Sequence, residues 1–244
     1  CAYVHKTMGN IYSRYGDYNL AIYHKSKALA YYRQAGNVRG FSSEINDISI
    51  AFRESGLYDS AIAYLKVGVT LNGIETKRLL TSNTELAKNY IKKKEWDSAR
   101  IYLEKAAYYF IEWQKLNKGE EWRLQEYKSA EALLLTHEGR LTEALEASRL
   151  GLYFLEQQYN SEKLRDVGKA YNQSGYLYSL LNQKDSAIHY FNKALYSVSN
   201  IDTNNIFSLP QKNELYAENT IIEALEQKAN WMLAYADTAN AKKY

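Results

Sequence analysis

Proline and cysteine are almost missing from these 244 residues, with one of each. An interior proline breaks a helix at a cost of about 3 kcal/mol, so so sparse a supply suits a chain that is nearly all helix. Glycine is also scarce, at 12, which argues against strands joined by tight turns. The single cysteine, Cys1, excludes an intramolecular disulfide and leaves the redox compartment open. No apolar run approaches the roughly 20 residues of a membrane span, and no signal peptide is visible. The formal charge of +3 is too small to suggest a nucleic-acid partner, and no Lys/Arg stripe is present to track phosphates. The one basic run, Lys92-Lys93-Lys94, falls where a helix should end, and cations there offset the helix dipole.

Signatures of catalysis, metal binding and cofactor binding are equally sparse. His5, His24, His137 and His189 are scattered and read as helix-surface residues rather than ligands. His137-Glu138 lacks the second histidine that a zinc-protease helix requires. There is no Gly-rich phosphate loop and no cysteine pair to hold zinc. Glu120-Glu121 sit at an expected helix start, where acids favour the dipole. The sequence therefore reads as a non-enzyme without a cofactor.

What is abundant is apolar and aromatic. Hydrophobic residues make up 46%, and there are 24 tyrosines, a residue that fills gaps between helices while keeping its hydroxyl near water. Trp96, Trp113, Trp122 and Trp231 read as inter-helix wedges or turn anchors. The pattern is plainest in Gly168–Ile201, which reads as two antiparallel helices joined by a short polar turn. Small residues sit where the helices must touch (Gly175, Ala187, Ala194), with Tyr171, Tyr178 and Phe191 beside them. This stretch resembles a tetratricopeptide repeat, a helix pair of about 34 residues. In that family place 4 is large, 7 and 8 are Leu-Gly, 11 is Tyr, 20 is Ala, 24 is aromatic and 27 is Ala. Here those places hold Tyr171, Ser174, Gly175, Tyr178, Ala187, Phe191 and Ala194, so only the Leu is missing.

Further copies follow the same places, giving repeats at 2–35, 42–75, 80–113, 125–158, 168–201 and 215–244. Their turns are expected at Gly16-Asp17-Tyr18, Gly56-Leu57-Tyr58, Lys94-Glu95-Trp96, Gly139-Arg140-Leu141 and, in the last, Ala229-Asn230-Trp231. Gly36-Asn37 links the first two repeats. The segment 200–210 reads as a loop, with Ser208 and Pro210 placed to start a helix. Lys25 replaces the aromatic of place 24 and predicts a looser contact. Glu131 and Ser148 stand where apolar residues are usual. The anchor alanines at 21, 61, 99, 144, 187 and 234 are spaced by 38 to 47 residues, longer than the usual repeat. That spacing resembles the family's long-repeat branch, found in peptide-sensing bacterial regulators and kinesin light chains.

The resemblance implies an all-α fold, a single right-handed α-α superhelix of about six hairpins over 1–244. It also implies a protein- or peptide-binding scaffold, the sensing or interaction module of a bacterial signalling or transcription-regulating protein. In such arrays the first helices line a concave wall through places 2, 5, 9 and 12. From that wall come the candidate peptide-binding residues Lys6, Asn10, Asn46, Arg53, Lys88, Lys169, Asn172, Tyr176, Tyr216 and Asn219. Place 5 is Asn46, Asn172 and Asn219 in three repeats, and an amide both donates and accepts, so a row of them suits the main chain of an extended peptide. Lys6 and Asn10 also match the family's clamp for a C-terminal carboxylate. Asp47, Thr81 and Glu85 break that match, since the acids would repel such a ligand. The alternative is a structural or self-assembling scaffold, an oligomer or part of an envelope complex, which apolar outer faces on the first and last repeats would favour. Lipidation at Cys1 would place it on a bacterial envelope, but Ala2 already belongs to a repeat and leaves no tether. A fragment boundary is the expectation, with the cytoplasm and periplasm both open.

Overall fold

The computed structural model describes residues 1–71, 75–116, 124–159, 164–200, 210 and 220–235. Among these the regular structure is helical throughout: α1 (Ala2–Tyr15), α2 (Tyr18–Gln34), α3 (Val38–Glu54), α4 (Tyr58–Val69), α5 (Thr76–Lys92), α6 (Trp96–Leu116), α7 (Gln125–His137), α8 (Leu141–Gln158), α9 (Arg165–Leu180), α10 (Lys184–Val198) and α11 (Thr220–Tyr235). The expected all-α class is met. The chain forms two compact units, Cys1–Glu121 and Trp122–Tyr244. The first holds the hairpins α1/α2, α3/α4 and α5/α6. The second holds α7/α8, α9/α10 and α11. Within each unit neighbouring helices pack in chain order, and first helices also meet, α3 on α5 and α7 on α9.

One turn chemistry closes all five hairpins. One or two residues past the first helix the backbone takes positive φ, at Gly16, Gly56, Lys94, Gly139 and Asn182. The next residue's N–H then reaches back to the carbonyl of place 11, as in Asp17 to Tyr12 at 3.0 Å and Gln183 to Tyr178 at 2.9 Å. This is the Schellman closure, which satisfies carbonyls that a helix end would leave bare. The anchor alanines 21, 61, 99, 144 and 187 are wholly buried, which lets each second helix lie close on its first.

The sixth turn does not form. Ala229, Asn230 and Trp231 continue α11 without a break. No residue there has the left-handed backbone that the other turns use. The buried stripe Ile221, Ala224, Lys228 and Met232 runs straight through the expected turn at spacings of three and four, the period of one helix face. That face packs on α9 and α10. The expected helix start at Ser208 lies outside the described residues.

Lys25 also departs from expectation, because its contact is tight. The side chain is buried, and its Nζ donates to Asn10 Oδ1 at 2.5 Å. Gly9 makes room for the stem, since a Cβ there would stand 2.7 Å from Lys25 Cγ. Ser148 is buried as well and is paired across helices with the hydroxyl of Ser174 at 3.0 Å. Glu131 is bonded locally, accepting from Tyr127 and Lys128.

Candidate functional site

The four wall places separate into two sets. Places 2 and 9 carry the more open side chains: Tyr3, Asn10, Ile50, Thr81 and Tyr176 are exposed, and Ser43, Lys88 and Lys169 are half-buried. Places 5 and 12 turn inward, with Asn46, Arg53, Thr84, Ile91 and Asn172 buried. Helix geometry explains the division. Residues seven apart share one line along a helix, and the second set lies about 60° round from it, on the flank that meets the neighbouring first helix.

In the first unit the inward set binds the array to itself. Lys6 on α1 donates to Asp47 Oδ2 at 2.5 Å and to Ser43 Oγ at 3.2 Å, both on α3. Glu44 lies 3.6 Å from the same ammonium. Asn46 accepts from Ser82 Oγ on α5 at 2.8 Å. Arg53 pairs with Glu85 on α5, and Lys88 donates to the other oxygen of that carboxylate at 3.1 Å. Arg53 and Lys88 are thus brought together by one acid. Asn10 is taken by Lys25.

Protonation follows these surroundings. Burial alone would lower the pKa of Lys6, but the Asp47 carboxylate and its hydrogen bond outweigh it, and the value is raised. Glu44 is fully buried. Its pKa is raised by that burial and by Asp47, against the pull of Lys6 and Lys25. Lys25 is shifted down, mainly by burial. The candidate cations of this unit therefore face carboxylates already seated within the fold.

In the second unit Tyr176 on α9 is 41% exposed and Lys169 is half-buried. Asn172 is only 5% exposed, and its Oδ1 accepts no hydrogen bond. Tyr216 and Asn219 lie outside the described residues. The expectation of helix-surface histidines holds for His137 and His189, which are exposed. It fails for His5 and His24, which meet across the first hairpin.

The sequence reading also missed place 23. In four of five hairpins its ring packs on the ring of place 11: Tyr12 with His24, Phe52 with Tyr64, Tyr90 with Tyr102 and Tyr178 with Tyr190, at centroid distances of 5.1–5.4 Å. The signal was an aromatic or histidine twelve residues after each place 11. Leu135 and Ala147 hold these places in the fourth hairpin, which has no ring at either.

Among the described residues no helix is long and apolar enough to cross a membrane. The tetratricopeptide-repeat family model matches residues 168–197. No curated protein sequence matches the chain. Among solved structures, the chain is similar to BtubC (BKLC) from P. vanneervenii, at 17% identity over 91% of this chain and 85% of that one, with a TM-score of 0.63. It is also similar to the nearly identical TPR-like repeats of a Podosopora anserina kinesin light chain, at 17% identity, 80% and 93% coverage and a TM-score of 0.50. These identities speak to fold alone, and the fold is one that typically serves as a non-enzymatic scaffold for protein partners. Residues 168–197 thus match the tetratricopeptide-repeat family, and the described hairpins share the fold of these solved structures.

Proposed function

We propose that the chain is a protein- or peptide-binding scaffold that grips its ligand on the first-helix faces through aromatic and amide groups rather than through charge. It holds a partner without transforming it. In this reading it is the sensing or interaction module of a bacterial signalling or transcription-regulating protein. The observation that carries the mode of grip is the pairing of Lys6, Arg53 and Lys88 with Asp47 and Glu85, which leaves little net charge for an acidic ligand. What stays open on the same helices is Tyr3, Ile50 and Tyr176. Tyrosine offers a large rigid surface with a hydroxyl for hydrogen bonding, which suits recognition. Asn172 lies one turn from Tyr176 along α9, and its Oδ1 is buried without a hydrogen bond, so it would accept a peptide N–H as its side chain turns outward.

Selection from a random peptide library, followed by fluorescence titration of the enriched peptide, tests this reading. Tyr176→Ala should weaken binding by about 1–2 kcal/mol and Asn172→Ala by about 1 kcal/mol, with little change in melting temperature. Equal affinity in both variants, or a strong preference for acidic peptides, would count against it.

Self-assembly is the second reading, and exposed apolar side chains favour it. Tyr3, Val4, Ile11 and Tyr15 stand out from α1, and Ile222 and Leu233 from α11. Light scattering after size exclusion separates the two readings, because a monomer at high concentration removes the second.

A further inference from the structure

His5 on α1 and His24 on α2 bring their Nδ1 atoms to 2.9 Å. Tyr12 stacks on the His24 ring at 5.4 Å between centroids and 8° between planes. Tyr31 stacks on His5 at 5.7 Å and 23°, and Tyr23 meets His24 edge-on. A run of four rings, Tyr12, His24, His5 and Tyr31, therefore crosses the α1/α2 seam. Both imidazoles are half-buried, and the stacking limits how far either can swing away.

The distance between the two nitrogens is informative. Metal–imidazole bonds of about 2.0–2.1 Å set at a right angle place their nitrogens about 2.9 Å apart, whereas a tetrahedral angle needs about 3.3 Å. Imidazole nitrogens in a right-angled, tetragonal arrangement suit copper(II) or nickel(II) better than zinc. Among the described residues no cluster of three or more His, Cys, Asp or Glu could hold an ion, so a metal here would have two protein ligands and water at its other positions.

We propose that His5 and His24 form a bidentate site for a tetragonal divalent cation of the copper(II) or nickel(II) class, tying α1 to α2. Without the ion one Nδ1–H donates to the other Nδ1. With it both Nδ1 lone pairs turn to the metal, and the donor ring carries its proton on Nε2 instead, so a neutral pair releases no net proton. A two-histidine chelate of this kind depends on the rigidity of its hairpin, which the flanking tyrosines supply.

The probe is copper(II) alone, titrated into the full chain carrying Cys1→Ser, because Cys1 is an exposed thiol that would reduce the ion. Electron paramagnetic resonance should show one tetragonal copper(II) per chain with two coupled imidazole nitrogens, and the melting temperature should rise with the metal. His5→Gln and His24→Gln should each weaken binding at least tenfold and abolish that rise, while the exposed His189→Gln leaves both unchanged. A spectrum with fewer than two coupled imidazole nitrogens overturns the proposal, and so does a loss of less than tenfold in variants whose circular dichroism matches the parent. The spectrum of the parent decides the matter alone if the histidine variants fail to fold.

Discussion

The ring of Phe191 lies where a side chain on Gly175 would go: a Cβ built there would stand 2.7 Å from Cδ1 and 2.8 Å from Cε1. Phe191 is buried on α10 and has little room to retreat. Alanine in a helix interior gains about 0.5–1 kcal/mol over glycine, but overpacking a fixed core costs about 1–3 kcal/mol. Gly175→Ala should therefore destabilise the second unit by about 1–2 kcal/mol in urea unfolding. A variant as stable as the parent would show that α9 and α10 are not held this close.

Two turns use a side-chain-bearing residue where the others use glycine. Lys94 has φ 61° and Asn182 φ 58°, the backbone that Gly16, Gly56 and Gly139 adopt. An L-residue pays about 1–2 kcal/mol for that conformation, partly offset because glycine has more freedom to lose on folding. Lys94→Gly should raise stability by about 0.5–1 kcal/mol. Gly139→Ala should lower it by a similar amount, through backbone alone, since a Cβ there would meet nothing within 4 Å. Thermal melts of both variants check the pair of signs, and a loss in Lys94→Gly would contradict the backbone account.

Arg53 and Glu85 couple α3 to α5 in a nearly dry setting. Removing one partner of a buried ion pair costs up to about 3–5 kcal/mol, even where the other keeps a secondary contact, as Glu85 does with Lys88 and Arg53 with Glu54. Replacing both with apolar residues removes the desolvation cost as well. Arg53→Met and Glu85→Leu should each be strongly destabilising, and the double variant should be markedly more stable than the sum of the two predicts. Additive losses in a double-mutant cycle would mean that the contact contributes no coupling.

Much of this architecture was legible because a few side chains do the same job in each hairpin. Gly175, Ala187 and Ala194 mark close approach, and Gly16, Gly56 and Gly139 mark turns. A residue whose smallness or backbone freedom is required cannot be masked by its neighbours. Ala229-Asn230-Trp231 misled for the same reason, since these residues permit a turn but none requires one. The candidate wall was less readable. Lys6 and Arg53 look the same in sequence whether they await a ligand or meet Asp47 and Glu85, because the partners sit 41 and 32 residues away. The meeting of His5 with His24 was hidden in the same way. Only the hairpin geometry brings positions 19 apart to one point.

Lys228 is wholly buried on the packed face of α11, and burial lowers its pKa to about 7. The sign follows from comparing states. Unfolded, the lysine keeps its proton to about pH 10.4, so between about 7 and that value the unfolded chain binds more protons and stability rises with pH. Below pH 7 the folded chain holds Lys228 charged in a buried setting that disfavours the charged form. Lys228→Met should therefore stabilise the protein by about 1–4 kcal/mol at pH 6, and the advantage should shrink steadily as pH is raised from 7 to 10. Melting temperatures of parent and variant across that range test it: a gap that stays constant with pH would show that Lys228 does not change its proton affinity on folding.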